Sequence, residues 1–353
     1  MTSQERVLLA LQHKEADRVA WSDFPWATTE ARWHREGMPE GVSAAEHFGF
    51  EFWGFGGDSS LQMEARVLED CDEYTIATGA DGATMKNWKL TTTTPELVDF
   101  AITSREKWDE VKPRMAYNDR RVDWDGARAG LDAARAKGLF TYLSWGPGFT
   151  KTCNMVGPER CLMAMVEDPD WVKDMFMTDA ETCAAIAEEV LARGLDVDAG
   201  WIFDDLGYKH KGFFSPAAYR ELLMPAHKLV CDVFKAHGKP MILHSCGYVT
   251  EFVPLFLEAG FDCLQPLEVK AGNDLVALKR QYGDRLALMG GIDVRAMAHP
   301  DPSVIEQEIA SKVPAAKAGG GYIFHSDHSV PDDVSFQQYT RVMELAAHYG
   351  RFG

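Results

Sequence analysis

Two side chains that often bind metal ions stand two positions apart at the end of an apolar run in "MILHSCGY", residues 241–248. On a strand, His244 and Cys246 would point to the same face and Ser245 to the other. An imidazole and a thiolate suit zinc, which needs at least a third protein ligand. The pattern indicates half of a zinc site, and the alternative is a buried thiol beside a hydrogen-bonded histidine.

The elements that must position this pair follow a regular alternation of strand-like and helix-like runs. The strand-like runs number eight, near residues 18–24, 50–56, 138–145, 198–205, 239–246, 261–268, 285–293 and 320–327. Helical periodicity follows over residues 168–195, 215–237, 249–259, 272–282, 301–317 and 333–348. Eight such units predict an α/β fold of the (β/α)8 TIM-barrel type, with residues 1–353 forming one domain.

The alternation fails between about residues 58 and 100. Thr-rich alternating runs flank "GADGA" at residues 79–83, a sequence typical of a hairpin turn. We expect an antiparallel β-hairpin excursion on the barrel rim in the N-terminal half.

The polar residues that close the strands are the candidates for chemistry, because barrel active sites lie at the carboxyl ends of the strands. They include Asp204, Asp205, Glu268, Asp293 and the run His325–His328. The last strand offers His328 as a third metal ligand. Asp204 and Asp205 contact substrate or cap a helix, whereas Cys263 stands among apolar residues and is expected in the core.

Composition excludes several classes of partner. A formal net charge of −18 with no Lys/Arg cluster disfavours nucleic acid, and no apolar run is long enough to span a membrane. The seven cysteines show no disulfide spacing, and the N-terminus predicts a short amphipathic helix rather than a signal peptide. We therefore expect a cytoplasmic protein with reduced thiols.

Four stretches of the chain are similar to the uroporphyrinogen decarboxylase superfamily: "WGPGFT", "ILHSCGYVTEFVPLFLEAGFDCLQPLE", "KRQYGDRLALMGGIDV" and "GGGYIFHSDHSVPDDVSFQQY". The resemblance covers nearly the whole chain and implies a (β/α)8 barrel. That superfamily contains true decarboxylases and corrinoid-dependent methyltransferases. The decarboxylases carry an arginine pair in an "MRQAGR" segment after the first strand, and the corresponding "SDFPWATTEARW" lacks that pair.

The resemblance to the methyltransferase branch implies a zinc ion on His244 and Cys246. That branch has a further Cys near the C-terminus, and His328 aligns with it. This departure leaves Asp327, Glu268 and Cys263 as substitute third ligands. A His, Cys, His set leaves the zinc more positive than a His, Cys, Cys set and favours a Lewis-acid role at an ether oxygen.

Aromatic residues crowd the first two strand–helix units and are typical of either core or a pocket for a flat ring. Trp21, Trp26, Trp145 and Glu268 are the candidates for substrate binding. Asp204, Asp205 and Tyr208 are the candidates for orienting a ring hydroxyl or carboxylate.

These observations predict a zinc-dependent O-demethylase methyltransferase that moves a methyl group from an aryl methyl ether to cob(I)alamin. No "DxHxxG" corrinoid-binding signature is present, so a partner corrinoid protein must carry the cobalamin. Three alternatives stay open: a methylcobalamin:thiol methyltransferase, a metal-free decarboxylase of the uroporphyrinogen type, and a non-catalytic barrel that binds a tetrapyrrole.

Overall fold

The computed structural model describes all 353 residues and contains twelve strands. In chain order these are β1 (Ala20–Trp21), β2 (Phe52–Gly56), β3 (Arg66–Asp70), β4 (Tyr74–Thr78), β5 (Ala83–Trp88), β6 (Glu96–Phe100), β7 (Phe140–Trp145), β8 (Ala199–Phe203), β9 (Met241–His244), β10 (Cys263–Gln265), β11 (Ala287–Met289) and β12 (Tyr322–Phe324).

Eight of these strands form one parallel sheet in the order β1-β12-β11-β10-β9-β8-β7-β2. The sheet curls until its outer strands meet at Glu51, whose backbone N–H donates to the Trp21 carbonyl at 3.1 Å. The Glu51 carboxylate in turn accepts from the Trp21 N–H at 2.7 Å. We call this junction of β1 and β2 the seam. The fold is the expected (β/α)8 barrel, and all eight predicted strands are confirmed.

Helices connect and surround the strands. Their bounds are α1 (Ser3–Leu11), α2 (Ala27–Arg35), α3 (Ala44–Phe48), α4 (Arg105–Val111), α5 (Trp124–Ala136), α6 (Phe149–Val156), α7 (Pro158–Glu167), α8 (Pro169–Ala192), α9 (Pro216–Ala218), α10 (Met224–Ala236), α11 (Val253–Ala259), α12 (Leu275–Tyr282), α13 (Val294–Met297), α14 (Pro302–Lys317) and α15 (Phe336–Tyr349). A π turn at Tyr219–Leu223 joins α9 to α10.

Caps explain several helix starts. Asp168 accepts from the Trp171 N–H at the start of α8, where Pro169 fits the first turn because it needs no backbone donor. Ser335 and Gln338 form a capping box on α15. No helix combines the length and apolar character that crossing a bilayer requires.

The buried apolar residues form two separate cores. The larger packs the helices against the outer face of the barrel. The smaller fills the barrel interior with residues such as Ala20, Trp201, Ile242, Cys263 and Ile323, and α1 packs against its amino-terminal end. The position two residues further along each strand therefore faces the interior as well, one layer nearer the carboxyl ends.

The excursion at residues 58–100 is larger than the predicted hairpin. It is a four-stranded antiparallel sheet in the order β3-β4-β5-β6. The "GADGA" turn lies between β4 and β5, as expected, and two further strands flank that hairpin.

Candidate functional site

The candidate metal site lies where β8 and β9 end. These neighbouring strands pair with Phe203 opposite His244. Ile242 belongs to the interior core, so His244 faces the interior one layer higher. Asp205 follows β8, Cys246 follows β9, and the Cys246 N–H donates to Asp205 Oδ1 at 2.8 Å. This backbone bond holds the two loops together.

Three ligand-type side chains converge there. Asp205, His244 and Cys246 each offer a ligand atom, and these atoms all lie within 4.8 Å of one another. His244 Nε2 lies 3.4 Å from Cys246 Sγ and 3.4 Å from Asp205 Oδ1. Bond lengths of about 2.0–2.3 Å in a tetrahedral zinc site place donor atoms roughly 3.4–3.7 Å apart. The geometry therefore fits zinc. We call these three residues the ligand cluster.

A chain of hydrogen bonds fixes the direction of the His244 ring. His325 Nδ1 lies 2.6 Å from the Ser326 carbonyl, which can only accept, so His325 Nε2 is left as an acceptor. It lies 3.3 Å from Gln265 Nε2, which donates. The Gln265 Oε1 atom then accepts from His244 Nδ1. In the neutral imidazole, the form that binds a metal ion, His244 Nε2 would then carry the lone pair and face the cluster.

The electrostatics of the cluster favour a cation. Burial opposes the charged imidazolium, but the Asp205 carboxylate and Cys246 outweigh it and raise the pKa of His244 to about 10. Burial also disfavours the Asp205 carboxylate, yet its hydrogen bond and charge interaction with His244 lower its pKa. Burial raises the pKa of the Cys246 thiol against the opposing effect of His244. A cation at this point would satisfy both acidic groups.

A cavity of about 500 Å³ opens beside the ligand cluster. Its wall includes Asp205 and Cys246 together with Tyr208, Phe213, Glu268 and Lys270. Tyr208 and Phe213 face it as an aromatic pair with ring centroids 5.5 Å apart. The structure thus brings Asp205, Tyr208 and Glu268, all predicted from the sequence, to the same space as the His244–Cys246 pair.

Asp204 does not reach that space. Its carboxylate accepts from the Phe149 and Thr150 N–H groups at 3.0 and 2.7 Å and lies 3.1 Å from His227 Nε2. It caps the N-terminus of α6 from the neighbouring strand. Because consecutive residues diverge at the strand end, Asp204 takes the helix-capping role and Asp205 takes the place in the cluster.

The proposed third ligands lie elsewhere. His328 is outside the ligand cluster: its Nδ1 lies 3.2 Å from the Ser329 carbonyl, and its ring packs edge-on against Trp26. Asp327 accepts from two backbone N–H groups, and Cys263 is fully buried in the interior core. Glu268 accepts from the Gly247 N–H at 2.6 Å. Asp205 is the ligand-type residue that lies with His244 and Cys246 instead.

Two of the three predicted pocket tryptophans face away from the interior. Ala20 points inward on β1, so Trp21 points outward, donates to the Gly49 carbonyl at 2.9 Å and lies under Arg18. Trp145 likewise packs against Phe234 of α10 in the outer core. Trp26, at the start of α2, reaches the barrel mouth through its contact with His328.

Sequence reasoning missed Gln265 and the convergence of Asp205 with His244 and Cys246. Gln265 ends an apolar run and stands two residues after the inward Cys263, which is the spacing that singled out Cys246. The same strand-end rule would have found it. For Asp205 nothing in the sequence distinguishes it from the adjacent Asp204.

Residues 141–349, more than half of the chain, match the family model described as uroporphyrinogen decarboxylase (URO-D). The chain belongs to the URO-D family.

Sequence relatives agree with this family, and one solved structure shares the fold. The chain is 31% identical over 176 residues to a uroporphyrinogen decarboxylase of Pectobacterium carotovorum subsp. carotovorum (strain PC1), covering 46% of this chain and 47% of that protein. It is 28% identical over 182 residues to a uroporphyrinogen decarboxylase of Pseudoalteromonas translucida, covering 46% and 47%. These matches thus span about half the length of each relative. A methyltransferase from Methanosarcina mazei shares the fold over 99% of both chains, with a TM-score of 0.69 and 14% identity.

Proposed function

We propose that this URO-D family member is a zinc-dependent methyltransferase that moves a methyl group from an aryl methyl ether to the cob(I)alamin of a corrinoid protein. The observation that carries the proposal is the ligand cluster of Asp205, His244 and Cys246 beside an open cavity. A thiolate, an imidazole and a carboxylate form a donor set typical of zinc, and three protein ligands leave a position for substrate.

The chain's own residues prepare this site. Gln265 holds the His244 ring with Nε2 toward the cluster, and Asp205 fixes the Cys246 backbone. When bound, zinc would supply Lewis acidity at the oxygen that loses the methyl group. The open cavity supports access for both a substrate and a corrinoid brought by a partner.

The arrangement offers less support for a metal-free decarboxylase. The segment after β1 lacks the arginine pair expected for porphyrinogen carboxylates. Its single arginine, Arg32, is engaged by Glu36 at 2.6 Å and by the Asp332 carbonyl at 2.6 Å.

One observation favours a second function, methyl transfer from methylcobalamin to a thiol. With Asp205 as third ligand, a zinc site of one thiolate, one carboxylate and one imidazole has no net formal charge. The expected preference for ether cleavage relied on a neutral His328 in that place. The preference for an ether donor therefore depends on the aromatic pair in the cavity beside the ligand cluster, because aromatic rings suit a flat substrate.

Incubation of the zinc-loaded protein with cob(I)alamin and a panel of methoxylated aromatics tests the proposal. We expect the absorption spectrum to change to that of methylcobalamin with at least one ether. Consumption of methylcobalamin by a thiol, with every ether inert, would establish the second function instead. The Cys246→Ala variant is the matched control and should be inactive in both directions.

A further inference from the structure

A second cavity, of about 230 Å³, opens at the seam between β1 and β2. Its apolar wall contains the rings of Phe24, Phe50, Phe52 and Tyr142. β1 and β2 are the outer strands of the barrel sheet and share no ladder, and the chamber lies beside their contact at Glu51. We call this space the seam chamber.

Rings in and below the seam chamber form a continuous aromatic surface. Trp201, fully buried in the interior, lies 4.7 Å from Tyr142, 5.9 Å from Phe52 and 6.1 Å from Phe24 between ring centroids. Such edge-to-face and tilted packing around a gap suits a flat ring. The indole Nε1 of Trp201 is also buried without a hydrogen-bond partner.

The carboxylates that line the seam chamber accept hydrogen bonds from the protein. Asp23 accepts from the Phe24 N–H at 3.0 Å and from the Tyr339 hydroxyl at 2.8 Å, and Glu30 accepts from the Ala44 N–H at 2.5 Å. The Tyr142 hydroxyl makes no hydrogen bond: burial alone raises the pKa of Tyr142, to about 12. Tyr142 lines the chamber, so its hydroxyl is free to form a hydrogen bond with a ligand there.

Two chains of side-chain contacts lead from the seam chamber to the ligand cluster. On one, Phe203 stacks on Trp201 at 5.3 Å and contacts the His244 ring at 5.0 Å. On the other, Phe24 packs against His325 at 5.4 Å, and His325 reaches His244 through Gln265. A ligand in the chamber would touch Phe24, which is linked to His244 through His325 and Gln265.

We infer that the seam chamber binds the ring of a neutral phenolic methyl ether, with the ring hydroxyl hydrogen-bonded to the Tyr142 hydroxyl. The lining contains the carboxylates Asp23 and Glu30 and no lysine or arginine. A benzoate would bring a negative charge to a wall that has no cation to receive it, so a phenol is preferred over a ring carboxylate. Naming the ligand as a methyl ether rests on the proposed function, whereas binding of the phenol ring does not.

Calorimetric titration of the full chain with 2-methoxyphenol and with 2-methoxybenzoate tests the inference. We expect 2-methoxyphenol to bind at least ten-fold more tightly than 2-methoxybenzoate. Tyr142→Phe should weaken 2-methoxyphenol by about 3–10-fold, the range for one neutral hydrogen bond, and leave methoxybenzene unaffected. Equal affinity for the phenol and the benzoate, or no change in Tyr142→Phe, would overturn the inference.

A variant that narrows the entrance of the seam chamber provides an independent test. Ala45 lines the seam chamber and is exposed on α3, so Ala45→Trp narrows the entrance without disturbing the core. We expect it to abolish binding of the phenol while zinc content stays at the wild-type value; retained binding would contradict the inference.

The same titrations separate the two proposals. If 2-methoxyphenol binds in a Tyr142- and Ala45-dependent manner but no ether is demethylated, the chamber stands and the proposed function fails. If ethers are demethylated with KM values unaffected by both variants, the function stands and the chamber fails.

Discussion

Two groups of polar side chains lie at the carboxyl ends of the barrel strands, and they differ in how their polar atoms are used. On the β8–β9 side, His244 Nε2 and Cys246 Sγ lie beside each other and beside Asp205. On the β12–β1 side, Asp23 and Asp327 are buried, and their carboxylates accept hydrogen bonds from backbone or hydroxyl groups. Side-chain ligand atoms such as His244 Nε2 and Cys246 Sγ, which bond to no backbone group, indicate a binding site, whereas satisfied buried carboxylates indicate a structural role.

This comparison explains why the run His325–His328, which also offers ligand-type residues, lies outside the ligand cluster. Its residues have the right types and stand at a strand end. His325 serves as a hydrogen-bond relay to Gln265, and Asp327 accepts from the Val269 and Val294 N–H groups. Residue type identifies a potential ligand, but only the partners of each atom show whether it is free to bind.

The largest predicted effect on zinc affinity comes from removing the Cys246 thiolate. Cys246→Ala should lower zinc affinity by more than about 100-fold, because replacing even outer residues that orient ligands costs roughly 10–100-fold. Zinc titration with a competing chelator measures this. Cys263→Ala is the matched control, since that thiol is buried in the interior; loss of zinc in the control but not in Cys246→Ala would reverse the assignment.

The third ligand gives the next effect. Asp205→Ala should reduce zinc affinity by about 100-fold, the upper end of the range for outer residues, because it removes both a ligand atom and the acceptor for the Cys246 N–H. His328→Ala should leave affinity within about three-fold of wild type, since its ring lies outside the cluster. The opposite pattern in the same titration would restore His328 as the third ligand.

The structural side of the comparison predicts a different response. Asp327→Ala leaves two backbone N–H groups without their acceptor and should lower the free energy of unfolding by about 2 kcal/mol. Urea denaturation measures the loss, and zinc content of the folded fraction should be unchanged. If the variant has wild-type stability but has lost zinc, Asp327 belongs with the zinc-binding residues and not with the structural ones.

The smallest predicted effect concerns Gln265, which orients the His244 ring. Gln265→Leu removes the acceptor for His244 Nδ1 and should weaken zinc by about 10-fold, the lower end of the range for outer residues. Gln265→Glu keeps an oxygen acceptor and should recover most of the affinity. Nitrogen chemical shifts of His244 provide a readout independent of activity: loss of a single tautomer is expected in Gln265→Leu alone.

The sequence predicted the barrel well because its signals are local and repeated. Eight apolar runs separated by capped helices leave few alternative folds, and the same-face spacing of His244 and Cys246 follows directly from strand geometry. The excursion was underestimated because only the "GADGA" turn has a distinctive sequence, while β3 and β6 are short and largely exposed.

The sequence did not predict which side chains in and after the short strands point into the barrel. β1 has only two residues, so the sequence does not show that Ala20 points inward and Trp21 outward. Asp204 and Asp205 are chemically identical neighbours, and their roles separate only because one meets the α6 N-terminus and the other meets Cys246. Long-range partners decide such cases, and one sequence does not contain them in readable form.

Metal analysis of the purified full-length chain by mass spectrometry tests the central claim most directly. The ligand cluster predicts about one zinc ion per chain in wild-type protein and almost none in Cys246→Ala. A folded wild-type protein without zinc that takes up none when zinc is supplied would contradict the proposed metal site and, with it, the proposed reaction.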